Sequence, residues 1–374
     1  MVRALAAQGH AVELLTYAQG DDLPLPGVRH RRSLALPVGR VRAGPSFAKI
    51  LLDVPFMAYA WWRMAVGRFD VVHAVEESAH LAAPLARLLG LPLVVDVDSS
   101  IPAQMRESGF AARGPLLWAA EALEGHALRH SAAVVTVCSS LTEGVRGRVP
   151  HARVFQVEDP PLLAAAASAA DIAALAASLG LDDRPVVLYS GNFEPYQGVE
   201  LLVDAAAAAP EAQFVFMGGE PDQIARMRAR AARGATCVFA GKRPISELPA
   251  FLGTAAMVAS PRITGSNTPF KVYTYLASGR PMVATRIMTH TQLLDDGVAW
   301  LVEPTPAGLA AGIRSVLADP GEARRRAARG LALIEREYSE ARHSEKVAAA
   351  YAAIVTEVGG AAPHPPQPPR SRRK

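Results

Sequence analysis

The chain has 374 residues, half of them apolar and a fifth charged, with a formal net charge of +4. That length points to two domains with ample core, and 6% aromatics with no interleaved basic stripe excludes a nucleic-acid partner. Two cysteines far apart, Cys138 and Cys237, read as buried free thiols of a cytosolic protein, and the histidines never cluster at ligand spacing, so neither metal nor cofactor is expected.

In chain order, VRALAAQ reads as the end of a helix, Gly9 as its cap and AVELLTY as a strand. A doubly wound domain normally opens with a strand and a glycine loop before its first helix. The first domain is therefore expected to lack its first strand, leaving ladder groups of two neighbours unpaired. The accompanying expectation is an N-terminally shortened chain whose start was assigned too far downstream. The next apolar segment, FAKILLDVPFMAYAWWRMAVGRF, is interrupted by Lys49, Asp53 and Arg63 and is no membrane span. Phe56, Trp61 and Trp62 with Arg40, Arg42 and Lys49 suit a helix lying on the inner membrane surface, with Arg29, Arg31 and Arg32 nearby. A helix packed on a sheet is the open alternative.

Strand-like runs then alternate with helical ones: DVVHAV, LPLVVDVD and AAVVTVC in the first half, RPVVLYSG, AQFVFMGG, TCVFAG, AAMVAS, PMVAT and AWLVEP in the second. Continuous β-branched runs separated by helices predict parallel strands buried on both faces. The alternation breaks between about 157 and 183, where VEDPPLL, an alanine-rich helix and GLDDRP read as a linker. The expected plan is α/β, with two Rossmann-like doubly wound domains facing a cleft. The first covers 1–160, the linker 161–183 and the second 184–335. A helix over 336–358 is expected to cross back to the first domain, and a disordered basic tail covers 359–374. Ligands of such sheets bind at the carboxyl ends of the strands. The absence of GxGxxG and GxxxxGK[ST] argues against a dinucleotide oxidoreductase and a P-loop ATPase.

The stretch GSNTPFKVYTYLASGRP carries the clearest chemistry. Thr268 and Pro269 read as N-cap and first helical residue, and Gly279 as a left-handed C-terminal cap. Lys271 in the first turn is mildly unfavourable beside the positive helix end. An anion seated there reverses that, because backbone N–H groups and a lysine together bind phosphate.

Several blocks resemble the retaining glycosyltransferases of the GT-B fold, glycosyltransferase family 4. They are GHAVELLTY, RFDVVHAVEE, YSGNFEPYQGVELLVDAA, QFVFMGGEP, ASGRPMVAT and DDGVAWLVEP, in that order. The resemblance implies a nucleoside-diphosphate-sugar donor on the second domain, a glycan or lipid-linked acceptor on the first, no metal, and a role in cell-surface or exopolysaccharide assembly. It also exposes departures. The two glutamates that usually contact donor sugar and ribose fall on Ser266 and Thr274. The usual basic pair near the diphosphate falls on Asn192 and Gln197, and the usual first-domain histidine on Asp98. The expected donor-binding set is Gly191, Asn192, Gln197, Lys242, Ser266, Asn267, Thr268, Lys271 and Thr274, with Arg262, Lys271 and Asp98 as the catalytic candidates. Glu76, Glu77, Asp98 and Ser99, at strand ends of the first half, are expected on the acceptor side. Glu76 and Glu77 equally suit the first turn of a helix. Rival readings are a non-catalytic nucleotide-sugar or glycan-binding partner and a nucleotide-sugar epimerase of the same fold.

Overall fold

Short β-branched runs bounded by glycine and proline, separated by alanine-rich stretches, become an alternation of parallel strands and helices in the computed structural model. It describes residues 1–20, 24–37, 39, 41, 47–108, 112–162, 166–231 and 235–359. Arg40, Arg42 and the tail from 360 onward lie outside the described residues.

The first half contains α1 (Val2–Ala7), β1 (Val12–Thr16), β2 (Val28–Arg32), α2 (Phe47–Val66), β3 (Val72–Val75), α3 (Glu77–Leu88) and β4 (Leu93–Val97). It continues with α4 (Ile101–Ser108), α5 (Pro115–His130), β5 (Ala133–Thr136), α6 (Ser139–Arg148) and β6 (Val154–Gln156). After α7 (Ala169–Ser178) the second half runs β7 (Val186–Ser190), α8 (Val199–Ala208), β8 (Gln213–Met217), α9 (Pro221–Arg230), β9 (Cys237–Gly241) and α10 (Leu248–Thr254). Then follow β10 (Met257–Ser260), α11 (Phe270–Ala277), β11 (Met282–Thr285), α12 (Met288–Thr291), β12 (Trp300–Val302), α13 (Pro306–Ala318), α14 (Pro320–Leu333) and α15 (Glu340–Gly359). Helix starts follow local chemistry. A reciprocal Ser168–Asp171 box opens α7, and Thr305 and Asp319 accept from the N–H groups of Gly308 and Glu322 to open α13 and α14.

The second sheet has the order β12-β11-β10-β7-β8-β9, and every pairing is parallel. Its four inner strands β11, β10, β7 and β8 are buried at nearly every position, with Val187, Tyr189, Phe214 and Phe216 on one face and Leu188, Val215, Val258 and Ala284 on the other. The chain travels outward through β8 and β9, then returns to place β10 beside β7. That reversal makes a crevice between the loops leaving β7 and β10.

The first half holds two sheets. β3-β4-β5-β6 is parallel, and β1-β2 forms a separate parallel pair. Among the described residues no strand joins them. β2 and β6 escape the sequence pattern, because VRHRR has one apolar residue and VFQ is only three residues long. The arginines of β2 are tolerated because Glu13 on the neighbouring strand accepts ion pairs from Arg29 and Arg31.

Helix α15 leaves the second half through a π-helical turn, Ile334–Tyr338, and packs against α1 and the first-domain sheet. Val347, Tyr351 and Ile354 share a core with Leu5, Val94, Val135 and Val157. Lys346 pairs with Glu158 at 2.5 Å, and the His343 ring bonds the Glu158 carbonyl at 2.9 Å. Ile354 is 1% exposed. Ile354→Ala should therefore cost about 2–5 kcal/mol. The expected outcome is a lower urea midpoint followed through tryptophan fluorescence, three of the four tryptophans lying in the first half.

Candidate active site

The loops at the carboxyl ends of β7, β8, β9 and β10 surround a cleft of about 590 Å³. Gly191, Asn192, Gln197, Lys242, Asn267, Lys271, Thr274 and Arg262 all line it, so one place gathers most of the residues expected at the donor. Ser266 lines an adjacent cavity, and Thr268 is buried, hydrogen-bonded to Tyr273.

Lys271 reaches from α11 across the crevice to the β7 loop. Its Nζ donates to Gln197 Oε1 at 3.0 Å and sits 3.9 Å above the Tyr189 ring centroid. Gly191, with φ of 143°, is what admits it, since a Cβ there would lie 2.7 Å from Nζ. Gly218 is a second steric requirement: at φ of 125°, its Cβ would stand 2.0 Å from the Gly191 carbonyl oxygen. Part of Lys271 faces the cleft, but desolvation of its ammonium and then the nearby Arg262 hold its pKa well below the ordinary lysine value. Among the described residues only neutral groups touch the Nζ. A desolvated amine beside a guanidinium, with no carboxylate partner, is stabilised as a cation by an incoming anion.

The local cap differs from expectation. Pro269 has ψ of 125° and is itself the N-cap; the helix begins at Phe270, with no side-chain cap. Thr268 is turned towards Tyr273 instead. Lys271 remains in the first turn, where backbone N–H groups lack intrahelical acceptors. Gly279 has φ of 65° and takes the expected left-handed conformation.

Arg262 is 7% exposed and organises the loop between β10 and α11. Nε donates to the Thr264 carbonyl at 2.8 Å, Nη2 to Asn267 Oδ1 at 3.0 Å and Nη1 to the Asn267 carbonyl at 3.4 Å. These three acceptors are loop oxygens, and the guanidinium also lies over the Tyr196 ring. The loop in turn touches the first domain: Asn267 Nδ2 donates to the Asp98 carbonyl at 3.1 Å, and Ser140 donates to the Ser266 carbonyl. Thr274 Oγ1 accepts from the Leu162 N–H at 3.1 Å and so anchors the linker. Asn192 receives the Tyr189 hydroxyl on its carbonyl at 2.6 Å. Lys242 forms an ion pair with Glu220 at the cleft edge, a partner that spacing along the chain could not reveal.

On the first-domain side, Glu76 follows β3 with φ of 49°, the one positive φ outside glycine among the described residues. Such a conformation costs energy and clusters at functional sites. Its carboxylate accepts from the Ser99 hydroxyl, and burial raises its pKa. Asp98 is pushed well above the ordinary carboxylate range by burial and by Asp96, Asp159 and Glu76. Glu77, expected beside Glu76, points elsewhere: it pairs with Lys49 at 2.6 Å and accepts from Tyr17 at 3.2 Å. Two residues of the cleft region escaped the sequence reading. Tyr189 lies within the strand run VVLYS and His80 within helix α3.

The chain matches two family descriptions in succession, a glycosyl transferase 4-like domain over residues 1–160 and glycosyl transferases group 1 over residues 184–319. It is 28% identical to alpha-D-kanosaminyltransferase from Streptomyces kanamyceticus over 288 residues, 72% of either chain. Sucrose-phosphate synthase from Thermosynechococcus elongatus superposes with a TM-score of 0.78 at 20% identity, covering 95% of this chain and 92% of that one. Anabaena HepE in complex with UDP-glucose gives 0.70 at 17% identity, covering 88% and 86%. The two structural likenesses establish a shared fold of two Rossmann-like domains.

Lys271→Ala should weaken nucleotide-sugar binding by about 1.5–3 kcal/mol, the range for a charge-assisted hydrogen bond. It should leave the unliganded protein as stable or slightly more so. A lysine whose folded pKa is depressed holds fewer protons folded than unfolded between its lowered value and the ordinary one. Wild-type stability should therefore gain with rising pH through that window, relative to Lys271→Ala. Calorimetric titration and pH-dependent melting check both outcomes.

Proposed function

Because the chain belongs to the GT-B glycosyltransferases, a 4-like domain in its first half and a group 1 domain in its second, we propose that it moves a sugar from a nucleoside-diphosphate donor to a hydroxyl acceptor with retained anomeric configuration. The observation carrying the donor assignment is Lys271: it meets the Gly191 loop at the crevice between β7 and β10 with neutral groups about its Nζ. The diphosphate gains charge as the glycosidic bond breaks. Lys271 and the N-terminus of α11 would stabilise that charge electrostatically, with Arg262 holding the loop beside them. Gln197 occupies one of the positions where the resembling family has a basic residue, and the Lys271 ammonium lies 3.0 Å from its side chain. The positive charge would thus be supplied from a different element. With that charge in place the reaction is expected to run without a metal.

We assign the work to glycan assembly at the cytoplasmic side of a membrane. No described helix is long and apolar enough to cross one. Helix α2 instead turns Phe47, Ile50, Leu51, Val54, Trp62 and Val66 outward. Those positions recur at helical spacing and suit a surface-lying helix. Lys49 and Arg63 are paired with Glu77 and Glu13, so insertion of apolar side chains rather than basic attraction is the expected driving force.

Three measurements test these statements. Incubation with a panel of nucleotide sugars and acceptors should give a product whose anomeric configuration, read by NMR, equals the donor's. Turnover should survive EDTA. Binding without transfer would favour a non-catalytic nucleotide-sugar-binding partner. Flotation with liposomes should carry the protein upward at both low and high salt, and Leu51→Glu with Trp62→Glu should abolish this. No co-migration of the wild type would remove the membrane assignment.

A further inference from the structure

Lys271 and Thr274 of α11 both line the donor cleft. They stand three residues apart, about 4.5 Å of helix rise, on the same side of the helix. The loop before α11 is the end that meets the first domain, through Asn267 on the Asp98 carbonyl and the Ser266 carbonyl on Ser140. A sugar in transfer must face that domain. With the diphosphate at Lys271, the nucleoside lies on the other side, and its pentose comes beside Thr274.

The wall there is poorly suited to reading a hydroxyl. Thr274 is buried, and its Oγ1 accepts from the Leu162 N–H at 3.1 Å. A hydroxyl that already accepts once has little capacity left, where an ionised carboxylate would offer two acceptor oxygens. Leu162 follows Pro160 and Pro161 in the linker, lines the same cleft and is 51% exposed, so an apolar side chain stands at the ligand surface. None of the described residues lining the cleft is Asp or Glu. Of the carboxylates on flanking segments, Glu158 is engaged by Lys346 and Gln156, and Glu220 by Lys242.

We propose that the donor site does not read the ribose 2′-hydroxyl and takes a 2′-deoxyribonucleoside diphosphate sugar at least as readily as its ribonucleoside counterpart, with Leu162 as the specificity-determining residue. This deepens the glycosyl-transfer reading above and rests on it. A site that reads a ribose hydroxyl sets a strong acceptor against it and loses a charge-assisted hydrogen bond when the hydroxyl is missing. Here the missing hydroxyl strands no protein group. A hydroxyl turned towards Leu162 exchanges water for an apolar neighbour, whereas the deoxy carbon packs against it. Thr274 acts by position, because its hydroxyl holds the linker backbone from which Leu162 projects.

The test is a calorimetric titration of the full chain with matched pairs that differ only at that hydroxyl: UDP and dUDP, GDP and dGDP, ADP and dADP. In the pair that binds most tightly, the deoxy member should bind as tightly as the ribo member or up to about threefold more so. Leu162→Asp keeps Thr274 and the linker N–H in place. It should weaken both members by repelling the diphosphate, and shift their ratio about tenfold towards the ribo member, because a carboxylate then stands beside the hydroxyl. A wild-type preference for the ribo member of about threefold or more, or a ratio unmoved in Leu162→Asp, overturns the proposal. Either result leaves the donor reading standing, since a nucleotide still binds. Failure of every one of these nucleotides to bind sinks the transfer reading and this assignment with it.

Discussion

The buried guanidinium of Arg262 ties down the loop between β10 and α11, which lines the donor-side cleft and touches the neighbouring first-domain cavity through Ser266. Three nitrogens of one side chain hold oxygens of Thr264 and Asn267. The Arg262 carbonyl is held in turn by Thr285, whose hydroxyl meets the buried His290 ring. Burial depresses His290 to about 4, so this support stays neutral and does not add a third cation below the cleft. Removing the guanidinium would strand several loop oxygens, each costing about 1–3 kcal/mol where buried. The loop's outer edge reaches Asp98 and Ser140, so the same constraint sets how the two domains meet.

Two recesses adjoin at that loop. On the second-domain side Lys271 is desolvated among neutral groups, and its nearest charge of note is another cation. On the first-domain side the buried Glu76 carboxylate accepts from the Ser99 hydroxyl, and its backbone is kept in a strained conformation. A desolvated charge without an ion-pair partner is tolerated where a ligand of opposite sign completes it. A diphosphate would supply the missing partner of Lys271.

Much of this architecture was legible in the sequence because parallel strands buried on both faces print continuous β-branched runs, as in VVLYS and QFVFM. The strands that were missed lack that signature. VRHRR carries charges that only Glu13 on a neighbouring strand explains. Lys271 was readable because a cation in a first turn contradicts the helix dipole. The cap beside it was misread by one residue, since Pro269 has extended ψ and leaves Thr268 free to meet Tyr273. Glu77 and Lys242 were drawn from local position, but each has an ion-pair partner, 28 and 22 residues away respectively, that sequence spacing does not reveal. His80 and Tyr189 gave no signal at all: their chemistry comes from the cavity and the ammonium that the fold sets against them.

The central claim is that a desolvated lysine on α11 supplies the charge for the donor diphosphate. Calorimetric titration of UDP at pH 8, repeated in buffers of different ionisation enthalpy, measures the protons exchanged on binding. Because Lys271 has a depressed pKa that an anion would raise, the account predicts net proton uptake in the wild type and its loss in Lys271→Met. Proton release, or an uptake unchanged in Lys271→Met, would contradict it.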